Sequence, residues 1–208
     1  MSSVYGGYDE PASPPPQDMD AEWVLVTDRP YDVPGWRVEV EPRTQLHPRL
    51  AAKVAKCRPD LYVDADVFVW VDASFAIRSS DFVSWCVGHL QYGPQAQIPH
   101  PDRRSIIAEA DFSHALPKYV GLPTREQADH YIKQGYPDGW GLWATGLIVY
   151  RGRSLIGDDW LREQLRWTYQ DQVSEPPLLW SRNLRPVDMA GGLLNNPHFT
   201  IRGHRDHL

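Results

Sequence analysis

The stretch Val67-Phe68-Val69-Trp70-Val71-Asp72-Ala73-Ser74 runs an apolar segment directly into a carboxylate and then a hydroxyl. Five apolar residues rich in β-branched and aromatic side chains predict a strand buried on both faces, as in the central parallel strands of α/β folds. A carboxylate where such a strand ends stands at the carboxyl edge of the sheet, the place where open α/β sheets bind ligands. Asp72 can hold a divalent cation against a phosphate there, because hard cations take oxygen ligands and share them with substrate phosphates. The alternative for Asp72 is ordinary turn chemistry, as a cap on the next turn or the start of a helix.

Two upstream segments end in the same chemistry. Met1-Ser2-Ser3-Val4-Tyr5-Gly6-Gly7-Tyr8-Asp9 predicts a short strand followed by glycines that let the backbone turn and approach a ligand closely. Glu22-Trp23-Val24-Leu25-Val26-Thr27-Asp28 predicts a second strand with a polar end, and Trp36 to Val40 alternates as a third. Between the first two, residues 10–20 carry Pro11, Pro14, Pro15 and Pro16, which excludes regular helix or strand interior and predicts an extended loop.

Helical spacing follows. From Arg49 to Lys56 the pattern puts Leu50, Val54 and Cys57 on one stripe and Arg49, Lys53 and Lys56 on another, either a solvated surface or a basic face beside an anionic site. Ser79 or Ser80 predicts an N-cap for a helix through Leu90, with Asp81 in its first turn. Further helices are expected over Asp102–Leu116, with Ile106, Ile107 and Ala110 inward, and over Thr124–Gln134. Trp140 to Tyr150 returns to strand character, and Asp158 to Tyr169 predicts an amphipathic helix. Residues 195–208 form a polar tail with His198, His204 and His207, equally readable as solvated tail or as metal ligands.

Length and composition bound the rest. The 208 residues fit one domain, residues 1–208, and 42% hydrophobic content with nine tryptophans marks a chain that folds. A net charge of −6 leaves no global basic field, so nucleic acid is not the default partner, although a local basic patch leaves it open. Cys57 and Cys86 match no metal or redox spacing and are expected as reduced thiols. No apolar stretch reaches the roughly 20 residues needed to cross a bilayer, and there is no signal-peptide pattern. The expectation is therefore a cytoplasmic protein without a membrane partner, bacterial or phage-encoded.

Taken in order, these pieces resemble the GT-A glycosyltransferases, and more narrowly the family catalogued as domain of unknown function 616. The resemblance runs through Val4-Tyr5-Gly6-Gly7-Tyr8-Asp9, Val26-Thr27-Asp28-Arg29, the Arg49/Lys53/Lys56 helix, Trp70-Val71-Asp72, His100-Pro101-Asp102-Arg103 with Glu109, Gly141 to Tyr150, and Asp171-Gln172. Most GT-A enzymes carry Asp-x-Asp, whereas Asp72-Ala73-Ser74 ends in serine. The literal Asp64-Ala65-Asp66 precedes the buried strand and belongs to its opposite end.

The resemblance implies a single α/β domain with a Rossmann-like, mixed but mainly parallel sheet flanked by helices. It also implies transfer of a sugar from a nucleotide-diphosphate donor to an acceptor hydroxyl on a glycan, protein or modified nucleobase. A divalent metal, Mn2+ or Mg2+, would be held by Asp72 and Ser74 with His204 or His207. Tyr5, Gly6, Tyr8, Asp28, Arg49, Lys53, Lys56 and Arg103 would bind the donor. Asp171 would activate the acceptor, with Glu109 in reserve, and Trp140, Trp143, Trp167 and Trp180 include possible sugar-stacking platforms. The alternatives are a non-catalytic carbohydrate- or nucleotide-sugar-binding module, and a nucleotidyltransferase that shares the same phosphate and metal logic.

Overall fold

The structure, a computed structural model, describes residues 1–203; His204 and His207 lie outside the described residues. Strands β1 (Ser2–Val4), β2 (Val24–Thr27) and β3 (Arg37–Val40) form a parallel sheet in the order β1-β2-β3. Both crossovers are loops rather than helices. The proline segment lies in the first of them, anchored where the Trp36 indole donates to Ala12 O at 2.9 Å and Asp18 N donates to Ser80 O at 2.8 Å.

Helix α1 (Pro48–Cys57) begins with proline at its first position, where a missing N–H costs nothing, and the His47 ring accepts from Arg49 N. It leads into β4 (Val67–Val71) and the short β5 (Phe75–Ile77). The chain continues through α2 (Phe82–His89), β6 (Gln95–Pro99), α3 (Ile106–His114), α4 (Thr124–Lys133) and β7 (Trp143–Arg151). It closes with α5 (Gly157–Arg166), α6 (Asp171–Ser181), β8 (Val187–Asp188) and β9 (Phe199–Ile201).

The second sheet has the order β4-β7-β6-β8, and β5 pairs with β9. β7 runs antiparallel to both β4 and β6, while β8 is parallel to β6. The sheet is therefore mixed, as expected, with β7 the strand that runs against its neighbours among those described. An apolar run reports burial on both faces but carries no information on strand direction.

Two backbone bonds join the sheets. Met1 N donates to Val69 O at 2.6 Å and Val71 N donates to Met1 O at 2.9 Å, the offset pattern of a parallel pair. Across the molecule the strands thus lie β3-β2-β1-β4-β7-β6-β8, and chain order reverses between β1 and β4.

β7 shows why both faces are covered. Ile148 and Tyr150 pack with Ala51, Trp160 and Leu179 from α1, α5 and α6, while Leu147 and Val149 pack with Phe82, Val83 and Cys86 from α2. A third cluster joins α3, α4 and α6 through Ile106, Ala110, Ala128, Tyr131 and Val173. Both cysteines are free and buried. Among the described residues no helix is long and apolar enough to cross a membrane.

Several boundaries differ from expectation. Asp81 occupies the N-cap position of α2 without capping it, because its carboxylate meets the His198 ring at 3.2 Å. α3 starts at Ile106 rather than Asp102, since Ser105 Oγ accepts from Ala108 N at 3.0 Å and fixes the helix start there.

Candidate functional site

A cleft of about 650 Å³ opens at the carboxyl ends of β1 and β4. Its walls come from α1, the Pro117–Tyr119 turn, the start of α6, and Ala144 to Gly146 of β7. This is the place where strand order reverses, and in open α/β sheets the diverging loops at such a point leave a crevice for ligands.

Asp72 follows β4 directly. Its Oδ1 accepts from the Trp70 indole at 2.8 Å and lies 3.5 Å from Lys56 Nζ. Its Oδ2 has no hydrogen-bond partner among the described residues, and the side chain is 41% exposed. Gly146 makes room for it: a Cβ there would lie 3.3 Å from Asp72 Oδ2 and 2.8 Å from the Phe75 ring. No side-chain bond from Asp72 to a backbone N–H is present, so capping does not account for its position.

Lys56 is 1% exposed, which corrects the reading of this α1 stripe as solvation. Its ammonium bonds Asp171 Oδ2 at 2.5 Å, and Lys53 takes Asp171 Oδ1. Burial alone would raise the Asp171 carboxyl, but the two ammonium groups reverse that and hold it well below the usual carboxylate range. Burial opposes the charge on Lys56 too, yet Asp171 and Asp72 more than restore it, leaving its pKa raised. Lys53 gains less: burial and repulsion from Lys56 outweigh Asp171, and its pKa is lowered. Asp171 lies in the first turn of α6, where negative charge also suits the helix dipole.

A second wall is aromatic and cationic. The Arg49 guanidinium lies 4.3 Å over the Tyr8 ring, donates to Tyr8 Oη at 3.2 Å, and is 5.8 Å from the Tyr169 ring. His47 stacks on the other tyrosine, Tyr169, at 5.1 Å. Lys118, from the Pro117–Tyr119 turn, completes the set; burial, then Arg49 and Lys53, lowers its pKa. Neither Arg49 nor Lys118 forms a salt bridge among the described residues. Arg49, Lys53, Lys56 and Lys118 therefore converge on one cleft in a chain whose net charge is −6.

Comparison with protein-family models, curated proteins and solved structures finds no match.

The cleft gathers Tyr5, Tyr8, Arg49, Lys53, Lys56, Asp72, Ser74 and Asp171. Gly6 and Asp28 stand just behind its wall, with Gly6 N donating to Asp28 Oδ2 at 2.8 Å across a turn that needs the left-handed φ of +69°. Asp28 Oδ1 is buried without a partner. Tyr5 is buried and donates to Glu41 O at 3.0 Å.

Arg103 and Glu109 do not line the cleft. They pair with each other at 2.5 Å behind His100, and Glu109 also accepts from Gln170 Nε2 at 2.8 Å. Glu109 thus braces two wall residues, His100 and Gln170. Trp140, Trp143, Trp167 and Trp180 are also elsewhere; Trp140 packs edge-on to Tyr136 and Trp143, with Arg185 over its ring. Lys118 and Tyr169 escaped the sequence reading because a lone lysine after a proline and a lone tyrosine after a helix carry no spacing signal.

Ligands for a metal are sparse. Among the described residues no three His, Cys, Asp or Glu side chains converge. The free Oδ2 of Asp72 with the Ser74 hydroxyl fits a cation that takes the remainder of its shell from phosphate and water, as Mg2+ commonly does. Arg202 N donates to Ser74 O at 2.8 Å, which sets Arg202 beside the Asp72 turn.

Proposed function

We propose that this protein is a nucleotide-sugar-dependent glycosyltransferase of GT-A-like architecture whose cleft binds the donor diphosphate. The observation that carries the reading is the convergence of four cations with Asp72 at the strand-order reversal. A diphosphate brings two to three negative charges and matches such a set through charge-assisted hydrogen bonds. The Tyr8 and Tyr169 rings support stacking of a flat nucleobase, and the unpaired Asp28 Oδ1 supports acceptance of a base or ribose donor if the Gly6 turn opens.

In glycosyl transfer, negative charge grows on the leaving diphosphate as the glycosidic bond breaks, and fixed cations lower that barrier. Lys53, Lys56, Lys118 and Arg49 would supply this stabilisation. A divalent ion held by Asp72 and Ser74, with His204 or His207, would add Lewis-acid neutralisation of the same oxygens. Asp171 holds both lysines in place. A phosphate that draws one of them into the cleft frees a carboxylate oxygen to accept the proton of the acceptor hydroxyl.

A second reading, a nucleotide-sugar-binding module without turnover, is favoured by one observation: Asp171 and Glu109, the two candidate bases, are both engaged in ion pairs. A thermal-shift screen of UDP-, GDP- and ADP-sugars with and without Mn2+ tests the donor site, since a bound ligand stabilises the folded state in proportion to its saturation. At least one donor should raise the melting temperature, and release of free nucleoside diphosphate with an acceptor separates enzyme from module. No stabilisation by any of them would overturn both readings.

A further inference from the structure

Glu175 lies four residues beyond Asp171 on α6, so both carboxyl groups share the inward face of the helix. Their partners differ. Asp171 takes both lysines, whereas Glu175 is 0% exposed and receives only amides: Gln95 Nε2 at 3.2 Å on Oε1 and Gln97 Nε2 at 3.0 Å on Oε2. No cationic side chain among the described residues forms a salt bridge with it. Lys53 and Lys56 already balance Asp72 and Asp171, so an ionised Glu175 adds an uncompensated negative charge directly behind the cation cluster. Such a group in the interior takes up a proton instead.

The groups facing Glu175 come from four elements: Lys56 and Cys57 of α1, Gln95 and Gln97 of β6, Tyr150 of β7, and Asp171 of its own helix. Burial pushes its carboxyl up to about 8; the Gln97 amide and Lys56 pull the other way, and Asp171 reinforces the rise. Cys57 and Tyr150 are both pushed up by burial and stay neutral across the same range.

This inference rests on the cleft being a polyanion site. We propose that Glu175 is a proton-linked positioning residue: neutral, it leaves Lys56 available to a polyanion in the cleft, and ionised, it draws Lys56 inward and weakens that binding. Linkage sets the direction. A group neutral in the bound state and titrating in the free state makes affinity fall as pH rises through its pKa, with the proton taken from solvent on binding.

Titration calorimetry of the full chain with ADP, GDP and UDP from pH 7 to 9, in two buffers of different ionisation heat, reads both quantities. The last phosphate ionisation and the ring N–H of guanine and uracil titrate at the edges of that range, so the effect of Glu175 is read as the difference between the unaltered chain and the Glu175→Gln variant with the same nucleotide. The dissociation constant of the nucleotide that binds should rise by up to about tenfold over the range, with proton uptake at pH 8. Burial lowers the pKa values of Lys53 and Lys118, and any slope they add is common to the unaltered chain and the variant. Glu175→Gln keeps the shape and one accepting oxygen, giving up one of the two amide contacts, and should flatten the remainder of the slope and remove its share of the uptake.

An unchanged slope and uptake in Glu175→Gln would overturn the linkage. Should that variant not fold, Gln97→Met removes one amide donor and keeps the acid; it should move the midpoint of the profile upward, and an unmoved midpoint would equally overturn the proposal. Failure of all three nucleotides to bind the unaltered chain at any pH would overturn the reading of the cleft itself, a different result from binding with an unaltered slope.

Discussion

Replacing Lys56 by methionine removes the charge that joins the two halves of the cleft floor while retaining the length of the side chain. The ammonium bonds Asp171 Oδ2 at 2.5 Å and reaches Asp72 at 3.5 Å, between the rings of Trp70 and Trp160 at 5.7 and 5.9 Å. A methionine fits between those rings, since its thioether packs well against aromatic edges. The cost therefore comes mainly from Asp171, left buried with only Lys53.

Breaking a buried pair by removing one partner costs about 3–5 kcal/mol. Because Asp171 retains one lysine, the lower end applies, about 3 kcal/mol. For a chain of this size that lowers the melting temperature by about 6–12 °C. Adding Asp171→Asn to the same chain should cost less than the sum of the two single changes by about 1–3 kcal/mol, because the second change removes the charge that the first had stranded. Calorimetric melting of the four proteins closes the cycle. A single-variant cost below about 1 kcal/mol with no coupling would show a solvated pair of the surface kind and refute the reasoning.

Asp72→Asn should leave the melting temperature within about 2 °C, since the side chain is 41% exposed, and abolish any gain in diphosphate affinity from Mn2+; an equal gain in both proteins removes Asp72 from the site. Lys118→Ala should weaken nucleoside-diphosphate binding at least tenfold, from the loss of one charge-assisted contact, without destabilising the fold, as titration and melting would read. Asp171, whose pKa the two lysines depress, contributes stability that is present above the ordinary carboxylate pKa and is lost as pH falls below it. The melting temperature should thus drop more steeply below about pH 4 in the unaltered chain than in Asp171→Asn, and parallel profiles would contradict the depressed pKa.

The sequence exposes some of these features and conceals others for physical reasons. β2, β3, α1 and α4 are readable because local pattern decides them: apolar runs flanked by polar ends, or helical spacing behind a proline. β6 is hidden because Gln95 and Gln97 are polar yet buried, satisfied by Glu175 rather than by water. α6 is harder still, since Pro176 and Pro177 lie inside it and oppose helix on propensity alone. The strand direction of β7 depends on long-range pairing that no local pattern encodes.

In the cleft, Asp72, Lys53 and Lys56 are legible from a strand end and a basic helical stripe. That Lys56 is buried, and that Asp171 holds it, follows only from packing α1 against α6 across 115 residues of chain. Arg103 and Glu109 share a helix start and spacing that suits a ligand clamp or an ion pair equally. Only their placement behind His100 resolves them as a brace.

Co-crystallisation with a nucleoside diphosphate and Mn2+ tests the cleft most directly. The phosphates should lie at the carboxyl ends of β1 and β4, with oxygens within hydrogen-bond reach of at least two of Arg49, Lys53, Lys56 and Lys118 and the ion against Asp72. A diphosphate bound away from those four side chains, or a crystal grown in saturating ligand with ordered solvent alone in the cleft, would contradict it.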